Sequence, residues 1–118
     1  MDELLEKAAE LGKLLSDHPR FKALMTARDA VRGDETARKL MADYEAQLNR
    51  VQELTLQNRP IEVADKRRLS ELEQKVVSND NLKLLAKAQA DFAEMMSRVN
   101  RAIYDHLAGS PDTSPPLR

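Results

Sequence analysis

The segment from Asn79 to Leu107 carries a long periodic apolar pattern that constrains the fold more than any other part of the chain. Its apolar residues recur at steps of three and four, which is the spacing of one face of a helix in a bundle or coiled coil. These positions are Leu82, Leu85, Phe92, Met96, Val99 and Ile103, with one polar interruption at Gln89. Small or apolar residues widen this stripe on both sides. The pattern predicts a long helix that contacts at least two neighbouring helices.

Turn-forming residues divide the rest of the chain into four more predicted helices. The 118 residues include only three Gly, two Phe, two Tyr and no Trp, a composition typical of all-helical proteins. The predicted helices span residues 2–15, 18–32, 35–57, 62–77 and 80–107. We therefore predict an all-α fold, a five-helix bundle with two long helices, about 35–57 and 80–107, and three shorter ones. Residues 1–108 are predicted to form a single helical domain, and the Pro-containing residues 109–118 a disordered tail.

Short polar residues and Gly mark the predicted helix ends. Asp17, Asp34 and Asn79 are predicted to cap the helices that follow them, since their side-chain oxygens can accept from free N–H groups. Gly33 is predicted to end the second helix in the left-handed conformation that Gly tolerates. The third helix is expected to end before Pro60, because the residue preceding a proline is disfavoured in helical geometry.

No catalytic, cofactor-binding or metal-binding motif accompanies this pattern. The chain has no Cys, no glycine-rich phosphate loop, no nucleophile elbow and no Glu-x-x-His pair. The two histidines, His18 and His106, each follow an aspartate. One interpretation is a shared metal site with Asp17 and Asp105, as in a metal-dependent enzyme; the other is a helix-start and a helix-end residue. We predict the second, and hence a protein that is not an enzyme and holds no cofactor.

Lys66, Arg67 and Arg68 form the densest basic cluster of a chain whose net charge is −1. One hypothesis is that they contact RNA or an acidic partner, which would make this a small RNA-binding protein. The favoured hypothesis is an exposed helix face offset by nearby acids. No aromatic residue interleaves with the cluster, so a base-stacking platform is not expected.

The apolar stripes of the two long helices predict self-association. Three helices of about 14–16 residues, roughly 21–24 Å each, cannot cover both long stripes, and small monomers seldom expose large apolar patches. We predict a homo-oligomer, a dimer or higher, through Tyr44, Leu48, Val51, Leu54, Gln89, Met96, Val99 and Ile103. Two interpretations of Gln89 remain open. It is either a buried polar residue that fixes the register of helix pairing, or a residue at the solvent-exposed edge of the apolar stripe.

The cytoplasm is the predicted location. No apolar run exceeds three residues, and the N-terminus Met1-Asp2-Glu3-Leu4 is acidic rather than signal-like. The near-zero net charge gives no global attraction to nucleic acid or anionic lipid. No membrane contact is therefore predicted.

The order of segments resembles the YlbF/YmcA family of small bacterial helical regulators. The matching stretches are Asp34-Glu35-Thr36-Ala37, Leu54-Thr55-Leu56-Gln57-Asn58-Arg59-Pro60, Leu69-Ser70-Glu71-Leu72 and Asn79-Asp80-Asn81-Leu82. The resemblance covers roughly residues 2 to 107 and rests on helix lengths and Leu/Ala positions. It implies an all-α fold with two long helices, homo-oligomers, and hetero-oligomers with related helical proteins.

The resemblance also implies a regulatory, non-enzymatic role. Members of that family join a complex that modulates an endoribonuclease, and so affect RNA processing, competence, sporulation and biofilm formation. Some of those complexes carry iron–sulfur clusters on Cys ligands. This chain has no Cys, so the cluster is not carried over, and no functional site residue is transferred.

Overall fold

The computed structural model describes residues 1–108, which form five α-helices and no strand. The helices are α1 (Asp2–Asp17), α2 (Pro19–Arg32), α3 (Glu35–Leu56), α4 (Val63–Ser78) and α5 (Asp80–Ala108). Their ends lie within two residues of the predicted ones. The all-α prediction with two long helices is therefore confirmed, whereas the predicted tail, 109–118, lies outside the described residues.

Two of the three predicted caps are confirmed and one is wrong. The Ala37 N–H donates to Asp34 Oδ1 at 3.1 Å, and the Leu82 N–H donates to Asn79 Oδ1 at 3.0 Å. At the start of α2, the Arg20 N–H instead donates to the His18 imidazole Nδ1 at 3.0 Å. The prediction of Asp17 as this cap was wrong because α1 continues through Asp17, which places His18 in the capping position.

Among residues 1–108, the residue in the left-handed conformation is Asn58, and Gly33 does not adopt it. Asn58 has φ 56°, and the N–H groups of Asn58 and Arg59 donate to the carbonyls of Thr55 and Leu54. These two bonds form a Schellman motif, which ends α3 without needing the proline. Gly33 follows the last residue of α2 as expected, but its φ is not in the left-handed range. There the helix ends because Asp34 adopts an extended conformation, with φ −109° and ψ 102°.

The described chain forms two compact units. The first contains residues 1–25 and 87–108. Its buried side chains are Leu24, Ala88 and Met95. Beside them the rings of Phe21 and Phe92 lie 5.8 Å apart, centroid to centroid, with their planes tilted by 53°. This geometry is favourable for an aromatic pair. Arg20 adds an ion pair to Glu94 and donates to the carbonyl of Asp91.

The second unit contains residues 26–86. Here α3 packs along α4, which returns after the connection 57–62. The centre of this unit is tightly packed: Ala37 is 0% exposed and Leu72 is 2% exposed. Ala27 and Leu82 are also buried.

Candidate protein-interaction surface

One end of the α3–α4 pair is closed by hydrogen bonds to Asp65. Arg50 Nε donates to Asp65 Oδ1 at 3.0 Å, and Gln47 Nε2 donates to the Asp65 backbone oxygen at 3.0 Å and to Oδ1 at 3.3 Å. The Asp65 side chain is only 15% exposed. The hydrogen bond from Arg50, followed by that from Gln47, lowers the pKa of the Asp65 carboxyl. At this paired end, the acid and the cation of the two helices neutralise each other.

The other end of the pair holds an open groove with a different charge pattern. The groove has a volume of about 220 Å³ and is lined by Thr36, Lys39, Leu40, Asp43, Arg68, Leu72 and Lys75. We call it the basic groove. Within residues 1–108, Lys39, Arg68 and Lys75 make no ion pair within 4.0 Å. Three cations therefore converge on one groove without a bound carboxylate.

The structure divides the basic triplet that was singled out in the sequence. Lys66, Arg67 and Arg68 are all exposed on α4. Only Arg68 lines the basic groove, because successive helical residues point about 100° apart. The sequence analysis did not identify Lys39 and Lys75, which line the groove together with Arg68. The spacing of Arg68, Leu72 and Lys75 places them on one face of α4, and this could be seen in the sequence. The residues that α3 contributes to the groove depend on how the two helices pair.

The predicted oligomer positions divide between the two long helices and differ in exposure. On α3, Tyr44, Leu48, Val51 and Leu54 are half-buried. On α5, Met96 and Val99 are half-buried, whereas Gln89 is exposed and Ile103 is 46% exposed. Leu54 also lines an open cleft of about 380 Å³ beside Arg59. Each of these residues keeps part of its surface accessible, and their role in an interface stays a prediction.

The buried residues of α5 coincide only in part with the apolar stripe predicted from the sequence. They are Leu82, Ala88 and Met95; Leu82 belongs to the predicted stripe, whereas Ala88 and Met95 lie beside it. Gln89 is exposed in the single chain. Its place in an oligomer, in a buried seam or at the solvent-exposed margin, stays a prediction.

Helix α1 is the element with the least burial in the described chain. None of its residues is buried, although its apolar residues are concentrated on one side. Leu4 is 65% exposed and Leu14 is 69% exposed. Leu11 and Leu15 are half-buried. The helix therefore keeps an accessible apolar surface, bordered by its charged residues.

The residues Asp34, Asn79 and Asn81, from stretches that carried the family resemblance, meet at the N-termini of α3 and α5. Besides capping α3, Asp34 accepts from Asn81 Nδ2 at 2.8 Å through its second carboxylate oxygen. The bonds from the Ala37 N–H and from Asn81 lower the pKa of the Asp34 carboxyl. Asn79 caps α5 two residues earlier. This cluster joins two helix starts and thus acts on the fold rather than on a ligand.

The described helices contain neither a cluster suited to a metal ion nor a segment suited to span a membrane. Among residues 1–108, no group of three His, Asp or Glu side chains is arranged to hold a metal ion. In the same range, no helix combines the length and apolarity needed to cross a membrane. His18 and His106 lie at the start of α2 and near the end of α5.

The fold and these surfaces define a small all-helical protein with accessible apolar and charged helix faces. The chain belongs to the YlbF/YmcA family: the family model described as "Control of competence regulator ComK, YlbF/YmcA" matches residues 4–108. This confirms the resemblance inferred from the sequence. The family description is that of a factor in the control of a competence regulator.

Bacterial proteins of similar length align with nearly the whole chain. A UPF0342 protein of Desulfitobacterium hafniense (strain Y51) is 24% identical over 110 residues, covering 93% of this chain and 84% of the relative. A UPF0342 protein of Streptococcus pyogenes serotype M4 is 24% identical over 105 residues, covering 89% and 93%. One of Streptococcus agalactiae serotype V is 27% identical over 104 residues, covering 88% and 94%.

Proposed function

We propose that this protein is a non-enzymatic module that binds other proteins and regulates through them. The observation that carries the proposal is the exposure of leucines on α1, a 16-residue helix with no buried residue. Helices of this length are marginal in water and gain most of their stability from packing an apolar face. A helix that leaves this face accessible is suited to packing against a second protein. Membership of a family described as regulatory supports the same conclusion.

Self-association is part of the proposal. Ile103 and Leu107, near the end of α5, are 46% and 72% exposed. The leucines of α1 are also accessible apolar side chains of this unit, and a symmetric partner would cover such residues. The predicted positions on α3, Tyr44, Leu48, Val51 and Leu54, offer part of their surface in the same way.

A single charge on the exposed apolar face of α5 tests self-association. We expect light scattering to give the wild-type chain about twice its 13.4 kDa mass, or a higher multiple. Ile103→Lys should lower this mass towards that of one chain, because a lysine would be forced into an apolar contact. Asn100→Lys, at another exposed position of α5, is the matched control and should leave the mass unchanged. A wild-type protein that stays monomeric at micromolar concentration would contradict the proposal.

The finer proposal is that the protein modulates an endoribonuclease complex in the cytoplasm, as YlbF/YmcA-type accessory factors do. It rests on family membership. The absence of Cys means that this chain supplies no thiolate to an iron–sulfur cluster. Hetero-oligomers with related helical proteins are the expected form of such a complex.

Affinity capture from the native host tests the finer proposal. Tagged wild-type protein should retain related helical proteins and an endoribonuclease, identified by mass spectrometry, and deletion of its gene should alter transcript processing. A tagged Ile103→Lys variant indicates whether the same face serves self-association and partner binding. Capture that depends on RNA and is abolished by nuclease would favour the RNA-binding alternative. That alternative has less support, because Lys66, Arg67 and Arg68 do not share one helix face.

A further inference from the structure

We propose that helix α1 of one copy docks in the basic groove of a second copy. This rests on the proposed self-association and goes further by naming the two surfaces that meet. The basic groove has cations without carboxylate partners, and α1 has carboxylates beside leucines without cover. Each surface has the chemistry that the other lacks.

Within residues 1–108, six cations of α3 and α4 make no ion pair, and three of them line one groove, whereas Arg38, Lys66 and Arg67 do not line it. Arg50, at the paired end, is held by Asp65 across the α3–α4 seam. In the basic groove, by contrast, Lys39, Arg68 and Lys75 lack an ion-pair partner in the described chain. Convergence of like charges is unfavourable unless an anion relieves it. The groove is therefore prepared for a ligand that brings carboxylates.

Helix α1 supplies carboxylates in a regular arrangement. It contains five acidic residues and two lysines. Glu3, Glu6 and Glu10, which we call the acidic stripe, lie at steps of three and four and are all exposed. At this spacing side chains lie on neighbouring parts of one helix surface. The acidic stripe borders the accessible leucines Leu4 and Leu14, so charge and apolar surface are presented together.

The two surfaces also match in their minor features. The basic groove contains one carboxylate, Asp43, among its cations, and the acidic stripe is accompanied by one cation, Lys7, whose Nζ lies 3.7 Å from Glu10 Oε1 on the exposed surface of α1. The groove also has an apolar side chain, Leu40, which is half-buried and can receive a leucine. Three acids and a lysine thus face three cations and an acid around an apolar contact. Such complementarity sets register and partner choice at an interface.

The size and lining of the basic groove favour a helix over other ligands. A volume of about 220 Å³ is below the roughly 300–1,000 Å³ of pockets that enclose small molecules. It is suited to one or two side chains projecting from a helix. Among its lining residues, none is aromatic, and aromatic stacking is the usual means of holding single-stranded RNA bases. Leu40 beside the cations is better matched by an amphipathic acidic helix than by a phosphate backbone.

Two copies together have two α1 helices and two basic grooves, and reciprocal docking occupies all four. If α1 of each copy enters the basic groove of the other, the contact is repeated by a two-fold axis and the assembly closes. Docking in one direction only would leave a free helix and a free groove, and would propagate into a longer chain. Both arrangements depend on the same charge contacts, so the same variants test them.

Charge reversal on each surface provides the first part of the test. One full-length variant carries K39E/R68E/K75E and a second carries E3K/E6K/E10K. In sedimentation equilibrium, each alone should raise the dissociation constant for self-association by about tenfold or more, because like charges would then face each other. The control K66E/R67E/K83E makes the same change of net charge as K39E/R68E/K75E, at exposed positions outside the groove lining. It should leave the dissociation constant within about threefold of wild type, as expected for solvent-screened charges.

Mixing the two reversed variants is the decisive measurement. In a one-to-one mixture, the reversed helix of one variant faces the reversed groove of the other, and the two unmodified surfaces also face each other. Association should therefore return to near the wild-type level, whereas neither variant should recover on mixing with the control. Far-UV circular dichroism checks that each variant is folded, and restored association in the mixture is itself proof of folding. The neutral variants E6Q/E10Q and R68Q/K75Q, which place no like charges together, should weaken association less than the reversals.

The outcomes separate this inference from the proposed self-association. If wild type is oligomeric and both reversals leave its mass unchanged, the α1–groove contact is wrong while self-association stands. The contact is also wrong if folded reversed variants fail to associate when mixed. A monomeric wild type would overturn both. If acidic proteins from the host, rather than a second copy, depend on Lys39, Arg68 and Lys75, the occupant is a different partner and the present assignment is wrong.

Discussion

Helices α1 and α4 have the same length, 16 residues, but differ sharply in burial. Leu72 of α4 is 2% exposed, and Leu69 and Val76 of the same helix are half-buried. In α1 no residue is buried, and Leu4 is 65% exposed. The two helices therefore differ in how far the chain covers their apolar residues. Helix α4 has α3 as its neighbour, whereas α1 keeps a surface available.

An amphipathic helix needs a neighbour that covers its apolar face. The pattern of the helix does not indicate whether that neighbour lies in the same chain or in another. An apolar face is stabilised by burial at roughly 25 cal/mol per Å² of surface removed from water. That gain is the same whether the covering atoms belong to the same chain or to another. In α4 the free energy gained by burying apolar surface supports folding of the chain. In α1 the same free energy remains available for association with a partner. The proposed function follows from this difference.

The largest expected effect comes from truncating a leucine of each helix. Leu72→Ala should lower the free energy of unfolding by about 2–5 kcal/mol, because it opens a cavity in a packed seam. Leu4→Ala should change it by about 0.5 kcal/mol or less when measured by urea denaturation at concentrations below self-association. At concentrations that favour the oligomer, Leu4→Ala should instead reduce association. Equal losses for the two variants in the dilute chain would contradict the comparison, since they would mean that α1 is held as firmly as α4.

A smaller effect is expected at the helix starts. Asn79 caps α5 with its side chain, whereas Met1, in the capping position before α1, makes no side-chain cap bond. Asn79→Ala should lower the free energy of unfolding by about 0.5–2 kcal/mol, since the Leu82 N–H loses its acceptor. Asn79→Ser, which keeps a capping oxygen, is the matched control and should lose much less. If Ser and Ala lowered stability equally, the contribution of Asn79 would have to come from something other than capping.

Local chemistry in the sequence was sufficient to predict the elements of the fold. Apolar steps of three and four located all five helices, and short polar residues located the caps at Asp34 and Asn79. The errors arose where a helix end depended on more than local propensity. Asp17 was predicted to cap α2, but α1 continues through it and His18 takes the capping position. Gly33 was predicted to be left-handed, but α2 ends there without that conformation. A propensity does not specify where the preceding helix stops.

The candidate surface was less predictable because it depends on pairing between elements. Arg68 was recognised as part of a run of three cations, but the groove it lines also contains Lys39, 29 positions earlier in the chain. The exact side of α5 that is buried also depends on its neighbours. The apolar stripe is wide enough to include Ala88 and Met95 beside Gln89, and its width does not specify which residues become buried. Within the single chain, Ala88 and Met95 are buried and Gln89 is exposed.

The smallest expected effect concerns pH and the bonds that hold α4 to α3. The hydrogen bond from Arg50, and then that from Gln47, lowers the pKa of the Asp65 carboxyl. Its folded-state pKa is therefore below the unfolded value of about 3.9. The contribution of Asp65 to stability is fully present above the unfolded pKa and is lost as the pH falls through the folded pKa. The pKa values of Asp34 and Glu94 are lowered too, so the chain should lose stability in the same direction below about pH 4.

Asp65→Asn isolates the contribution of this carboxylate. Asparagine keeps an oxygen that can accept from Arg50 and Gln47 but cannot titrate, so the variant should be less stable at pH 7. It should then lose less stability than wild type as the pH falls through the unfolded value of about 3.9 and below it, because wild type must protonate a carboxylate that the variant lacks. Urea denaturation across this range measures both slopes. Glu73→Gln, on the same helix but with no hydrogen bond or ion pair within residues 1–108, is the control and should follow the wild-type slope. If the stability of Asp65→Asn had the same pH dependence as that of wild type, apolar packing around Leu72 alone would hold α4 to α3. Helices α4 and α1 would then differ in the burial of their apolar residues and not in electrostatic contacts.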